Sequence, residues 1–427
     1  MLRDKLFMGA AGAALTYALA GASATPLQAA EISVSCGAVG TEMKMCREGV
    51  EAWEDKTGHE VNIVSTPNST TERLALYQQL LSAGASDIDV FQIDIIWPGI
   101  LGSHFIDLSA YSDGAEDAHF DAIVDNNTID GELKAMPWYT DAGLLYYRKD
   151  LLDEYGHEVP ETWAEMTEIA KDVQADEREA GNDKFWGFVF QGRAYEGLTC
   201  DALEWVHSYG GGTVVDADGT ISVNNENTVE AMEMASNWVG EISPTGVLNY
   251  AEEEARGVFQ SGNAMFMRNW PYAWSLGNSA DSPIKGKIGV AALPKGGEDG
   301  QHTGTLGGWN LAVSKYSEHP EAAADLVMYL TSRAEQKRRA LDASYNPTIK
   351  ALYDDEEVLA ANPFFGKLYD TFVNAVARPS QVVGEQYNRV SNAFWEASHN
   401  VLSGAAEPKT AVANLERQLK RIRRSGW

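Results

Sequence analysis

Residues 136–152 read MPWYTDAGLLYYRKDLL, and this stretch is the best starting point for deciding how the chain folds. Aromatic residues crowd it, and Asp141 lies among them. A strand that only filled a core would not carry this carboxylate, because burying an unpaired charge is costly. We therefore treat Asp141 as a candidate functional residue and read the sequence outward from it.

Strands and helices alternate on the N-terminal side of this stretch. The segments EISVSCG, EVNIVST and DIDVFQID predict strands, and apolar residues at helical spacing predict helices between them. The first of these helices begins near TEMKMC and stops at Gly58. Strands separated by helices predict parallel pairing in a doubly wound sheet.

The same alternation continues on the C-terminal side. Thr162 and Glu165 form a predicted capping box at the start of a helix, and WGFVF, KIGVAALP and GWNLAVS predict strands. We also predict one long helix from about Pro320 to Ala340 and a final helix whose apolar face includes Leu415. No long linker separates the two halves. The sequence thus predicts an α/β protein of two lobes, with a ligand cleft between them.

The first thirty residues predict a cleaved secretory signal. Arg3 and Lys5 precede an apolar, alanine-rich run, and small residues follow it at Ala22–Ala24 and Ala29–Ala30. A membrane anchor is the alternative, but the run is short and is broken by glycines. We therefore expect an exported protein.

Charge and cysteine content narrow the possible partners. The formal net charge of −29 disfavours nucleic acid and anionic membranes as partners. Export permits disulfides, so Cys36 and Cys46, which flank a predicted strand-to-helix turn, either pair or stay as two buried thiols. Cys200 is expected to be a small buried apolar residue rather than a nucleophile.

The sequence carries no motif for nucleotide binding, for a metal site or for a serine hydrolase. No cofactor is predicted. A glycoside hydrolase needs only two suitably placed carboxylates, so that class stays open as an alternative. Together with export and two lobes, the missing motifs favour ligand binding over catalysis.

Aromatic residues stand close to polar ones at several predicted strand ends and loops. The relevant pieces are QIDIIW with Asp94 and Trp97, PWYTD with Trp138, Tyr139 and Asp141, RNWPYAW with Trp270 and Trp274, and TLGGW with Trp309. Sugars present apolar C–H faces that flat rings cover, and a rim of hydroxyl groups that charged side chains bind. This pattern indicates a carbohydrate site.

At these residues the chain resembles the solute-binding proteins of ABC importers, in particular the trehalose/maltose-binding branch of the carbohydrate family. The segments that carry the resemblance are YTDAGLLYYRKDLL, FWGFVFQGRAYEGLTCD, MRNWPYAWSLGNSADSPIKGKIGVAALP, TLGGWNLAVSKYS and NAVARPS. The resemblance implies two lobes of the periplasmic-binding-protein fold joined by hinge crossovers that close around a disaccharide. It also implies delivery of that sugar to a membrane permease.

The resemblance implies a set of ligand contacts and a division into lobes. We expect residues 31–139 and 304–350 to form the first lobe, and residues 140–303 and 351–427 to form the second. The expected sugar contacts are Glu42, Arg73, Asp94, Tyr139, Asp141, Trp270, Gly307, Trp309 and Arg378.

Several of these residues have simpler explanations. Arg73 could be a solvated helix residue, and Asp94 could cap the helix that follows it. Arg378 could pair with a surface acid, and Gly307 could serve only a tight bend. The acidic runs AEEEA and YDDEEV are interpreted as solvated surface.

Our hypothesis from the sequence is a monomeric periplasmic receptor, without catalytic activity, for an α-glucoside disaccharide such as trehalose or maltose. Its partners would be this sugar and the permease subunits of an ABC importer. The alternatives are a secreted glycoside hydrolase and a binding protein for another small solute, such as a polyol.

Overall fold

The computed structural model describes residues 29–427, so nearly all of the predicted signal segment lies outside the described residues. The chain first builds one lobe around a sheet. Its elements are β1 (Glu31–Cys36), α1 (Glu42–Thr57), β2 (Glu60–Ser65), α2 (Thr70–Ser82), β3 (Val90–Asp94), α3 (Pro98–Leu101), α4 (Ser109–Ser112), α5 (Asp121–Asn127), β4 (Thr128–Ile129), β5 (Glu132–Leu133) and β6 (Met136–Ala142).

A second sheet follows directly and carries a second lobe. Its elements are β7 (Leu144–Arg148), α6 (Lys149–Tyr155), α7 (Trp163–Glu179), β8 (Trp186–Val189), α8 (Glu196–Ser208), α9 (Glu226–Trp238), α10 (Glu252–Gln260), β9 (Ala264–Asn269), α11 (Ala273–Gly277) and β10 (Ile288–Ala292). The capping box of Thr162 and Glu165 is present at the start of α7, as predicted.

The chain then returns to the first sheet and ends in helices. These last elements are β11 (Leu306–Val313), α12 (Pro320–Leu330), α13 (Arg333–Ala343), α14 (Glu356–Ala361), α15 (Pro363–Lys367), α16 (Tyr369–Val373), α17 (Ser380–Val383), α18 (Tyr387–Leu402) and α19 (Pro408–Arg423). The apolar face of α19, including Leu415, is buried, and this helix packs against α18 and α9.

The prediction of one long helix from Pro320 to Ala340 is wrong. The chain forms α12 and α13 instead, because Ser332 adopts an extended conformation and its side chain accepts a hydrogen bond from the backbone N–H of Glu335. Serine competes well for such a cap, and this starts a new helix.

The strand directions differ from the predicted parallel, doubly wound sheet. The first sheet has the order β2-β1-β3-β11-β6, and β11 runs antiparallel to both β3 and β6. The second sheet has the order β10-β7-β9-β8, in which only β8 and β9 are parallel. The reason is topological: β6 leaves the first lobe at the edge where β11 re-enters it, so the two strands must run in opposite directions. The prediction of a two-lobed α/β protein is confirmed.

Three chain segments lie side by side between the two sheets. Gly143 links β6 to β7, and a Cβ on Gly304 would lie 2.8 Å from the Gly143 carbonyl oxygen. Backbone N–H groups of Leu306 and Val376 donate to the carbonyls of Val376 and Gly304, at 2.8 and 2.9 Å respectively. Because β6 runs to Ala142, the first sheet extends past the predicted division after residue 139.

The structure also bears on disulfide pairing and on membrane-spanning helices, two questions that the sequence raised. Cys36 and Cys46 form a disulfide between the end of β1 and the first turns of α1, which settles the alternative left open by the sequence. Within residues 29–427, none of the helices combines the length and apolar character that a membrane crossing requires.

Candidate ligand-binding site

A cavity lies between the two lobes, next to the crossing segments. The space between its lining atoms is about 650 Å³, a figure that includes solvent at the open mouth. Its lining residues come from both lobes: Val39, Glu42, Asn68, Thr70, Asp94, Tyr139, Asp141, Glu196, Gly197, Cys200, Glu252, Trp270, Tyr272, Gly307, Gly308, Trp309, Tyr345 and Arg378.

The structure brings eight of the nine expected contact residues to this cavity. They are Glu42, Asp94, Tyr139, Asp141, Trp270, Gly307, Trp309 and Arg378. Arg73 does not line the cavity; it is fully buried and its guanidinium lies 4.3 Å from the ring centroid of Trp309. The alternative of a solvated Arg73 is therefore wrong.

Asp141 lies in β6 opposite Gly307 of β11, and both face the cavity. A Cβ on Gly307 would meet the ring of Trp270 at 3.0 Å and the Asp141 side chain at 3.2 Å, so a glycine here allows their close approach. The next residue of β11, Gly308, has a φ of 131°, which is unfavourable for residues with a side chain. Within residues 29–427, no hydrogen bond holds the Asp141 carboxylate, which leaves it available to a ligand.

The pKa of Asp141 is raised well above its usual value. Burial is the main cause, and the nearby carboxylates of Glu42 and Asp94 add to it. The arginines Arg268 and Arg339 act in the opposite direction. Burial without a donor makes the carboxylate form of Asp141 costly to keep, and hydrogen bonds from a ligand rich in hydroxyl groups would relieve that cost.

A second polar group is built around Glu42, at the start of α1. The hydroxyl of Tyr139 donates to Glu42 Oε1 at 2.6 Å, and the Gln92 amide donates to the same oxygen. The Gln92 side-chain oxygen in turn accepts from the backbone N–H of Gly37 at 2.6 Å. These bonds fix the Tyr139 ring and the Glu42 carboxylate relative to each other at the cavity wall.

Arg378 joins the two lobes through buried ion pairs. One guanidinium nitrogen contacts Asp94 at the end of β3, and another contacts Glu196 at the start of α8, both at 2.9 Å. The partners are buried, so the alternative of a surface acid is wrong. Asp94 also accepts a hydrogen bond from the backbone N–H of Ile96 at 3.1 Å in the turn before α3. It does not cap that helix, because the N-cap residue of α3 is Trp97, so this alternative is wrong.

Two tryptophan rings form the flat parts of the cavity wall. Behind Trp309 lies Arg73, and the guanidinium of Arg268 lies 3.9 Å from the ring centroid of Trp270. The other tryptophans singled out in the sequence are not lining residues. Trp97 and Trp138 are fully buried, and Trp274 packs against Phe364 at 5.5 Å between ring centroids.

Sequence reasoning missed ten of the eighteen residues that line the cavity, among them Glu196, Tyr345 and Glu252. Glu196 lies within the segment FWGFVFQGRAYEGLTCD, but only the fold shows that it reaches Arg378. Tyr345 reaches the wall from the loop after α13. Glu252 belongs to the acidic run AEEEA, which we interpret from the sequence alone as solvated surface. That interpretation is wrong for Glu252 and Glu253. Glu252 accepts from the indole N–H of Trp270 at 3.4 Å, and Glu253 accepts from the Tyr272 hydroxyl at 2.7 Å.

The site therefore combines hydrogen-bond acceptors with aromatic faces. In residues 29–427 no group of three or more His, Cys, Asp or Glu side chains is arranged to hold a metal ion. Cys200 is buried beside the cavity, and burial raises the pKa of its thiol, as expected for an inert cysteine. The arrangement can grip a polar ligand with apolar faces between two lobes.

Comparison with known proteins agrees with this description. Residues 39–337 match the family described as bacterial extracellular solute-binding protein. A probable ABC transporter-binding protein of Deinococcus radiodurans is 54% identical over 417 residues, which are 97% of this chain and 99% of that protein. These relatives are binding proteins of ABC transporters, which supports the prediction that the chain is not an enzyme.

Solved structures give the same answer for the fold. The maltose-bound MalE3 of T. maritima superposes with a TM-score of 0.88 at 40% identity, covering 92% of this chain and all of that one. A mannitol-bound solute-binding protein of Agrobacterium vitis superposes with a TM-score of 0.81, covering 93% of this chain and 99% of that one, but at 20% identity. At this low identity, the match to the Agrobacterium vitis protein supports the fold and carries no information on the ligand.

Proposed function

Since the chain belongs to the family of bacterial extracellular solute-binding proteins, we propose that it is a periplasmic receptor for an α-linked glucose disaccharide, maltose or trehalose. Proteins of this kind bind a sugar and deliver it to the permease subunits of an ABC importer. The observation that carries the proposal is Asp141, a carboxyl acceptor that shares the cavity wall with Trp270 and Trp309 and meets no hydrogen-bond donor within residues 29–427.

The lining chemistry supports a disaccharide in three ways. Trp309 and Trp270 offer flat faces for the C–H sides of sugar rings. Asp141 and Glu42 offer charged acceptors, which make the stronger hydrogen bonds to hydroxyl groups. The 40% identical relative has maltose bound, which supports a ligand built of glucose units. The choice of maltose or trehalose as that ligand is part of the proposal.

We further propose a monomer whose two lobes close around the sugar at three crossing segments. The crossings are Gly143, Gly304–Thr305 and the chain around Val376. The proposed lobes comprise residues 31–142 with 304–350, and 143–303 with 351–427; the first boundary is moved from residue 139 because β6 belongs to the first sheet. The first thirty residues would direct export. A glycoside hydrolase is not proposed, because the relatives are binding proteins.

Replacing Asp141 by Asn tests the proposal, because the change should weaken sugar binding and yet make the ligand-free protein more stable. Loss of a charged, ligand-bound acceptor should weaken sugar binding by about 10- to 150-fold at pH 7.5, measured by calorimetry with maltose and trehalose. The ligand-free variant should melt at a higher temperature than the parent. The folded-state pKa of Asp141 is raised, so its charge costs stability once the pH exceeds the unfolded-state value.

The control is Asp153→Asn, in which the same change is made at an exposed position of α6. This variant should bind both sugars as the parent does. If Asp141→Asn also kept the parent affinity, the assignment of Asp141 as the ligand acceptor would be wrong.

A further inference from the structure

Arg339 of α13 is a buried cation without an ordinary partner. Its side chain is 1% exposed, and within residues 29–427 none of its three guanidinium nitrogens makes a hydrogen bond. No ion pair compensates for it either in this part of the chain. An unpaired buried charge is costly, so its presence calls for a physical explanation.

The guanidinium of Arg339 instead lies against three aromatic rings. Its central carbon is 3.9 Å from the ring centroid of Trp138, 4.6 Å from that of Tyr345 and 5.0 Å from that of Tyr139. Tyr139 and Tyr345 line the ligand cavity, whereas Arg339 does not. The cation therefore lies behind the cavity wall, and the rings separate it from the ligand space.

The charges of the cavity explain why a cation is useful in that position. In the part of the chain that the structure describes, Arg378 is the only arginine that lines the cavity, against five carboxylates: Glu42, Asp94, Asp141, Glu196 and Glu252. Arg378 is engaged by Asp94 and Glu196, so it does not balance Glu42 and Asp141. Arg339 attracts the charges of both of these acids without donating a hydrogen bond to either.

We propose that Arg339 is a positioning residue of the ligand site. Its planar guanidinium holds the rings of Tyr139 and Tyr345 in the wall, and its charge favours the carboxylate form of Asp141 that faces the sugar. Because the rings cover it, Arg339 adds this charge without exposing donors that would occupy the same acceptors. The inference rests on the proposed function, since the ligand it serves is the sugar proposed above.

The test compares Arg339→Met and Arg339→Lys with Arg338→Met by calorimetry with maltose and trehalose. Arg338 is the neighbouring residue on α13, but it is ion-paired to Glu48 and Glu335. We expect Arg339→Met to weaken binding at pH 7.5 by about tenfold or more, as for loss of a desolvated cation–ring contact. Arg338→Met should bind as the parent does.

The pH profile separates positioning from simple loss of stability. Asp141 is faced by Glu42 and Asp94, which raise its pKa, and by Arg268 and Arg339, which lower it. Removing Arg339 raises the pKa of Asp141 further, so a higher pH is needed to obtain the carboxylate. The affinity deficit of Arg339→Met should therefore grow as the pH falls from 9 to 6. Arg339→Lys keeps the charge, so its profile should match that of the parent while its affinity is several-fold lower.

Each outcome decides the inference. It is overturned if Arg339→Met binds as the parent does, if its deficit is independent of pH, or if Arg338→Met loses as much. If Arg339→Met fails to fold, the affinity of Arg339→Lys decides the question. The positioning role is overturned if Arg339→Lys binds the sugar as tightly as the parent protein does. If the parent protein binds neither sugar, the proposed function fails and the inference fails with it. If the parent binds and the Arg339 variants are unchanged, only the inference fails.

Discussion

Replacing Arg378 by Met should lower the free energy of unfolding by about 3–5 kcal/mol at pH 7.5, because it leaves two buried carboxylates without their cation. Asp94 and Glu196 each contact Arg378 at 2.9 Å, and all three side chains are buried. Met fills most of the space of the arginine stem, so the loss should come from charge rather than from a cavity. Denaturant titration of the ligand-free variant measures it.

This loss should depend on pH in a defined direction. Burial raises the pKa of Glu196, and Arg378 opposes that rise, so the pKa climbs further when Arg378 is removed. Protonation then removes part of the uncompensated charge. The deficit of Arg378→Met relative to the parent should therefore shrink as the pH falls from 7.5 towards 5.

Arg193→Met is the matched control. Arg193 also pairs across the two lobes, with Glu72 at 3.1 Å, but both side chains are largely exposed. Solvent screens such a pair, so its loss should cost less than about 1 kcal/mol. If Arg378→Met were no more destabilised than Arg193→Met, the buried triad would not stabilise the arrangement of the lobes as described.

Replacing Trp309 by Ala should weaken disaccharide binding by roughly 3 kcal/mol, or more than about 100-fold. The change removes a ring face from the cavity wall and opens a path for water to the buried guanidinium of Arg73, 4.3 Å behind the ring. Trp309→Phe keeps a smaller ring in the same place and should lose only about tenfold. Calorimetry with maltose and trehalose measures both.

Trp186→Ala controls for the general effect of losing a tryptophan. Its ring is also backed by an arginine, Arg178, at 4.4 Å, but it lies in β8 away from the ligand cavity. Sugar affinity of this variant should match that of the parent, although its stability will fall. Equal losses of affinity in the Trp186 and Trp309 variants would mean that Trp309 acts through stability and not through the ligand.

The sequence predicted local structure and strand ends well, and long-range pairing poorly. Asp94 was singled out because it stands close to Trp97 and because the family resemblance implies a ligand contact there, and it lines the cavity. Direction in a sheet depends on where the chain re-enters a lobe, which no local pattern records. This is why the antiparallel position of β11 was missed.

The same limit explains the site residues that were missed. Glu196 becomes recognisable only through Arg378, which is 182 positions further along the chain. Arg339 lies in a helix that looks strongly polar in sequence, yet it packs behind three rings from distant segments. Glu252 was hidden by an acidic run that is typical of surface, until the fold placed it against Trp270.

Titration calorimetry of the unmodified protein with maltose, trehalose and mannitol tests the central claim most directly. We expect saturable binding of one sugar per chain for maltose or trehalose, with mannitol much weaker because it has no ring faces to cover Trp270 and Trp309. Tight binding of mannitol with no response to either disaccharide, or no response to any of the three, would contradict this account.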